Sequence, residues 1–247
     1  MKKRLKETLI EKIFGFVFDI FHRIRYFIRI IRGNELYFHK EIKVKKELFG
    51  NTGAEWCLVP DYLNERSIIY SFGVGTDISF DLQVIKRIGC MVFAFDPTPR
   101  SIEWIKNQAL PSEFKFLEYG ISDKDDLIIF YPPVNPAHVS FSANTSFTKD
   151  NGIELPVYTL KSIMKKLGHD KIDLMKMDIE GSEYCVIQDL VNSGIEISQM
   201  LVEFHHRFDK FSIEKTRDAV KALQKAGFRI FYISPNGEEY SFIKLKK

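Results

Sequence analysis

Apolar and polar positions follow two different periods along the 247 residues of this chain. Near the start, Leu9, Ile13, Phe16, Ile20, Ile24, Phe27 and Ile31 recur at steps of three and four. That spacing predicts one long helix over residues 5–31 with a single apolar stripe, and Gly33-Asn34 supplies a tolerant C-cap. Residues 35–65 read as a connector of mixed character. From Ser67 onward, short apolar runs alternate with amphipathic windows. Strands are predicted at 68–72, 91–95, 114–118, 127–130, 155–158, 172–177, 200–204, 228–233 and 240–245. Helices are predicted at 79–88, 100–108, 160–167, 183–191 and 213–226. Alternating strands and helices argue for a mostly parallel sheet covered on both faces, a Rossmann-like α/β fold. The turn Asn236-Gly237 marks a C-terminal hairpin, which adds an antiparallel edge strand. The stretch Tyr131 to Gly152 is rich in Pro, Asn, Ser and Thr and reads as a long surface excursion.

Composition sharpens this picture in two places. Apolar residues make up 45% and charged residues 28%, which is ordinary for a folded globular chain. The net charge of +3 hides a split. Residues 1–50 hold 13 Lys/Arg against 6 Asp/Glu, whereas residues 51–247 hold 23 against 27. The chain therefore divides into a basic N-terminal helix with its connector (1–50) and an acidic main domain (51–247). An acidic main domain is a poor platform for nucleic acid, and no nucleic-acid partner is expected. Charges interrupt the N-terminal helix too often for a membrane-spanning segment or a signal peptide. Two readings of residues 5–31 stay open: peripheral contact with an anionic membrane, or packing on the domain or on a second subunit. Cys57, Cys90 and Cys185 form no CxxC pair, so neither a disulfide framework nor a zinc ribbon is expected. Reduced thiols fit a cytoplasmic setting.

Ligands of an open parallel sheet bind beyond the carboxyl ends of its strands. Four such ends carry small or polar residues: Gly73/Gly75, Asp96, Asp178/Glu180 and Glu203/His205/His206. Glycines between a strand and a helix let the backbone approach a ligand. The third glycine of a dinucleotide fingerprint would fall at Ile78, so that fingerprint is not met. Asp96, 21 residues after Gly75, can accept both hydroxyls of a ribose. Together these residues suggest an adenosine-type ligand without a pyrophosphate, and S-adenosyl-L-methionine fits that description.

Residues 67–247 resemble the FkbM family of S-adenosylmethionine-dependent methyltransferases. The likeness lies in Tyr70-Ser71-Phe72-Gly73-Val74-Gly75-Thr76-Asp77, in Phe93-Ala94-Phe95-Asp96-Pro97-Thr98-Pro99 and in Val202-Glu203-Phe204-His205. Its most specific part is Thr159-Leu160-Lys161-Ser162 followed by residues 172–183, close to the family's "TLDS…IDLLKIDVEGAE". The resemblance implies a seven-stranded methyltransferase sheet and methyl transfer usually to oxygen, often on a sugar or other small polar acceptor. It places Gly73 and Gly75 at the methionine end of the cofactor, Asp96 at the ribose, and the loop Gly120-Ile121-Ser122-Asp123, with Ile121 and Ser122, near the adenine. Two positions depart from the family. Ser71 stands where an acid is common, and Asp77 stands where many methyltransferases have a third glycine and could take the ligand's ammonium. These departures favour a rival reading, a binding module that kept the fold and lost the chemistry.

Alcohol methylation needs a base for the hydroxyl proton. The candidates are Asp178, Glu180, Glu203, His205 and His206, with Asp178, Glu180 and His205 taken as the catalytic set. No metal ligands are assigned, although the same carboxylates could hold a divalent cation. Glu183 reads as an acid that favours the start of the next helix. The loop Ser140 to Ser146 is expected to close over the acceptor.

Overall fold

The structure is a computed structural model that describes residue 17 and residues 20–131, 152–207 and 212–245. Helix α1 covers 20–31. There follow β1 (Glu47–Phe49), β2 (Trp56–Leu58), a 3-10 turn (Pro60–Tyr62), β3 (Ile68–Phe72), α2 (Ser79–Ile88), β4 (Met91–Phe95), α3 (Pro99–Lys106) and β5 (Phe114–Leu117). Next come β6 (Gly120–Ile121), β7 (Asp126–Phe130), β8 (Ile153–Tyr158), α4 (Leu160–Leu167) and β9 (Lys171–Met177). The chain closes with α5 (Glu183–Ser193), β10 (Glu196–Glu203), α6 (Ile213–Lys225), β11 (Phe228–Ile233) and β12 (Glu239–Lys244).

Seven strands form one sheet in the order β11-β12-β10-β9-β3-β4-β5. All pairs from β5 to β10 are parallel, and β12 runs antiparallel to both β10 and β11. The hairpin expected at the C-terminus is present, but its antiparallel strand is not at the edge. β12 inserts between β10 and β11, and β11 forms the edge. Pattern alone does not tell which arm of a hairpin joins the sheet. Residues 35–65, read as a connector, contain the antiparallel pair β1-β2. These strands of three residues each are too short to show a period. The predicted excursion falls mostly on 132–151 and the loop Ser140 to Ser146 wholly so, outside the described residues.

Successive side chains of a strand face opposite sides, and the core divides accordingly. Tyr70, Phe72, Met175 and Met177 pack against α4, α5 and α6 through Leu160, Ile163, Val186, Ile187, Val220 and Leu223. Ile69, Leu174 and Leu201 pack on the other face against Phe80 and Val84 of α2, Ile105 of α3 and Trp56 of β2. The result is a three-layer sandwich. Strand order reverses between β3 and β9: β4 and β5 lie to one side, β9 and β10 to the other. Loops leaving β3 and β9 diverge at that point and open a crevice.

The basic N-terminal segment is tied to this body by a buried carboxylate. The Glu35 side chain is fully buried and lies 2.5 Å from His206 Nε2. Arg207 donates to it from Nε at 3.0 Å and Nη2 at 2.8 Å. Burial opposes its charge, but bonds and charges from His206 and Arg207 hold its carboxyl below the usual range. Tyr26 of α1 donates to the Leu36 carbonyl at 2.6 Å. Removing one partner of such a set strands the others without compensation, at about 3 kcal/mol. Glu35→Ala should therefore lower the melting temperature by roughly 6–12 °C in thermal denaturation.

Candidate active site

The crevice is lined by Phe72, Gly73, Gly75, Phe95, Asp96, Pro97, Thr98, Ser101, Gly120, Ile121, Phe130, Asp178, Ile179, Glu180 and Ser182, around about 640 Å³ of space partly open to solvent. Three groups of residues build it. The first is the turn after β3. Gly73 has φ +76, and a Cβ there would overlap the Asp178 carbonyl oxygen. Only glycine fits. Its N–H donates to the Phe95 carbonyl at 3.0 Å, and its own carbonyl accepts from Lys176 Nζ at 2.9 Å.

The second group centres on Asp96, which is buried. Its Oδ2 accepts from the Gly75 N–H at 2.9 Å. Its Oδ1 accepts from the Thr98 N–H at 2.9 Å and the Thr98 hydroxyl at 2.6 Å. These bonds aim the carboxylate across the glycine turn. Phe72 and Phe95 stack at 4.4 Å on the crevice wall. Gly120, Ile121 and Phe130 close the far side. The structure thus brings together Gly73, Gly75, Asp96 and Ile121. Ser122 is buried beside the crevice, with its hydroxyl donating to Asp123 at 3.1 Å.

Ser71 and Asp77 are not brought to the crevice wall. Ser71 lies fully buried beneath the turn, across from Lys176 in register. Asp81 of α2 reaches the same space. Burial pushes its carboxyl up to about 6, against the pull of Lys176 and the Ser71 hydroxyl. A carboxylate from α2 thus faces Lys176 where the resemblance leads one to expect an acid at position 71. Asp77 is exposed; it accepts from the Ser79 N–H at 2.7 Å and from Asn51 Nδ2 at 3.3 Å. These bonds hold it at the turn that leads into α2.

The third group lies at the ends of β9 and β10. Glu183, in the first turn of α5, is fully buried. Its Oε1 accepts from the His205 backbone N–H at 2.9 Å and lies 3.2 Å from His205 Nδ1. Its Oε2 accepts from the Gly181 N–H at 2.9 Å. A carboxylate only accepts, so Nδ1 carries a proton. Nε2 then faces Asp178 Oδ1 at 3.6 Å and Glu180 Oε2 at 3.5 Å. Glu180 reaches this place with φ +52, the one positive φ among described non-glycine residues. Burial alone would lower the His205 pKa, but the Glu183 bond and the charges of Glu183, Asp178 and Glu180 raise it to about 10. Glu203 is pushed up to about 9 by burial and by the charges of Asp178 and Glu239. Ligand atoms of Asp178, Glu203 and His205 all lie within 4.8 Å of one another, a spacing a divalent cation could use. His206 turns the other way, to Glu35.

Residues 68–230 match the methyltransferase FkbM domain family. The chain belongs to the FkbM methyltransferase family. The glycine turn with Asp96 beside it suits a ligand such as S-adenosyl-L-methionine. Among curated relatives, the probable methyltransferase-like protein 24 of Homo sapiens is 25% identical over 179 residues, and that of Rattus norvegicus 24% over 174 residues. These matches cover 68% and 66% of this FkbM chain but only 43% and 42% of the relatives. The chain thus spans less than half the length of those proteins. Solved structures of similar outline include a Methanococcus jannaschii fibrillarin pre-rRNA processing protein (12% identity, TM-score 0.45, covering 84% of this chain and 88% of that one). Another is Aeropyrum pernix fibrillarin with natively bound S-adenosyl-L-methionine (9% identity, TM-score 0.41, covering 83% and 84%).

The raised Glu203 pKa has a measurable consequence. The unfolded chain ionises this group near pH 4–5, whereas the native chain keeps its proton until about pH 9. Its contribution to stability is therefore full at low pH and is lost as pH rises through that window. Glu203→Gln should match the parent at pH 4 and melt several degrees higher at pH 8, on the order of 1–3 kcal/mol. Equal melting at both values would contradict the assignment.

Proposed function

We propose that this FkbM enzyme methylates a hydroxyl oxygen of a small or glycan-linked acceptor. One observation carries the reading: His205, held at Nδ1 by buried Glu183, turns Nε2 to Asp178 and Glu180, which line the crevice. When bound, S-adenosyl-L-methionine supplies a methyl group on a sulfonium, already a strong electrophile. What the protein must add is alignment and a place for the hydroxyl proton. Gly73 and Gly75 offer close backbone approach, and Asp96 offers a charged acceptor for ribose hydroxyls. Asp178 and Glu180 set a negative field where a cation would sit. A cofactor cation there would weaken their pull on His205 and shift its pKa down from about 10, so that Nε2 gives up its proton more readily. As the C–O bond formed and the donor's S–CH3 bond broke, releasing the neutral thioether, Nε2 would take the acceptor proton and Glu183 would stabilise the resulting imidazolium.

The spacing of Asp178, Glu203 and His205 supports a second reading. A divalent cation held there would bind the acceptor oxygen directly and lower its pKa. Activity that disappears on dialysis against a chelator and returns with Mg²⁺ or Mn²⁺ would select it.

Asp96→Asn should weaken S-adenosyl-L-methionine binding at least tenfold by calorimetry, the loss of charge-assisted bonds worth about 1.5–3 kcal/mol. His205→Gln and Glu183→Gln should lower kcat by roughly 10²–10⁴, with cofactor affinity changed less than about threefold. The assay is transfer of labelled methyl to pools of hydroxylated acceptors. Cofactor binding without transfer to any pool would instead favour a binding module that lost its chemistry.

A further inference from the structure

The exposed face of α1 has a pattern that the methyltransferase reading leaves unused. Val17, Ile20, Phe21, Ile24, Phe27, Ile28 and Ile31 are all exposed, Phe27 at 61% and Ile31 at 70%. At 3.6 residues per turn these positions project onto one arc about 120° wide. Half-buried His22, Tyr26, Arg29 and Ile30 occupy the opposite arc, where Tyr26 is bonded to Leu36 and Arg29 lies 3.9 Å from Glu35. The helix is thus fixed to the protein by its more polar side and turns its apolar side outward. Most apolar stripes on surface helices face the other way. No described helix is long and apolar enough to cross a membrane.

Charge identifies the occupant of this face. Exposed Arg23 flanks the stripe on one side, and exposed Arg25 and Arg32 flank it on the other. Between residues 20 and 32 there is no Asp or Glu. Two copies of the helix packed stripe to stripe would bring arginine against arginine at their borders, where paired helices place opposite charges. An apolar stripe bordered on both sides by cations fits a surface that is greasy inside and anionic at its rim. We infer that α1 lies flat in the headgroup layer of an anionic lipid bilayer, with the stripe in the acyl region and the arginines on the lipid phosphates and carboxylates.

Vesicle flotation of the full chain tests this. The protein should float with vesicles of phosphatidylcholine containing about 30% phosphatidylserine and stay at the bottom with phosphatidylcholine alone. Partition should fall at least tenfold between about 0.05 M and about 0.5 M NaCl. Arg23→Gln with Arg25→Gln and Arg32→Gln should reduce it at least tenfold, and Phe21→Asp with Phe27→Asp should abolish it. Unchanged melting and unchanged S-adenosyl-L-methionine binding would show that these variants fold, so this result stands apart from the fate of the proposed chemistry. Absence of flotation with anionic vesicles overturns the inference. A dimer in sedimentation that Phe21→Asp with Phe27→Asp removes, without any flotation, would assign the face to a second copy instead.

Discussion

A lysine buried in the middle of the sheet constrains everything around the crevice. Lys176 stands on β9, one strand from the glycine turn, with its chain and head almost wholly out of solvent. Its ammonium must find acceptors inside the protein, because an isolated buried charge is far too costly. It donates to the Gly73 carbonyl, faces Asp81 of α2 electrostatically and sits 5.0 Å from the centre of the Trp56 ring on β2. One cation thus ties together β9, the turn after β3, the first helix behind the sheet and the small β1-β2 pair. Gly73 is held between this ammonium, the Phe95 carbonyl and the Asp178 carbonyl. That explains why the turn admits no side chain, and it sets the floor of the cofactor crevice.

A second set of buried charges builds the wall above that floor. Glu183, Glu203, Asp178 and Glu180 converge on one imidazole, and the two raised pKa values have a common cause. Carboxylates crowded in a poorly hydrated place retain a proton between them, while the imidazole they surround is stabilised as a cation. Asp178 and Glu180 of this cluster line the crevice. The site is therefore matched to positively charged ligands before any acceptor is considered, in agreement with a sulfonium cofactor.

Much of this was legible from the chain. Windows such as Ser79–Ile88, Leu160–Leu167 and Phe228–Ile233 were read with their observed bounds, because their apolar spacing is regular and glycine ends two of them. β1 and β2 are not legible in the sequence because three residues carry no readable period. The place of β12 is not legible either, because alternation fixes which face of a strand is buried, not which neighbour it pairs with. Among site residues, the glycines, Asp96 and the Asp178–Glu180 pair stood at strand ends and were visible there. Lys176 and Asp81 go unread in the sequence and Glu183 is read only as a helix-start acid, yet each carries a signal. Glu183 shares the inward stripe of α5 with Val186, Ile187 and Leu190. Asp81 shares that of α2 with Val84 and Ile85. Lys176 interrupts the apolar run from Ile172 to Met177. A charge standing where the pattern demands an apolar residue must have a buried partner, and those partners assemble the site.

The end of β10 joins the two halves of the molecule that net charge separates. His205 and His206 are consecutive and point apart, as neighbours in extended chain do. His205 enters the carboxylate cluster at the crevice. His206 meets Glu35, which also takes Arg207 and approaches Arg29 of α1. Displacing this short segment would therefore disturb both contacts. The basic helix is thus not a loose tail beside an acidic enzyme. Its apolar stripe is held outward by the same two residues of backbone that hold His205 inward. A surface bound by that stripe would receive the crevice in a defined orientation, which a flexible tether could not provide.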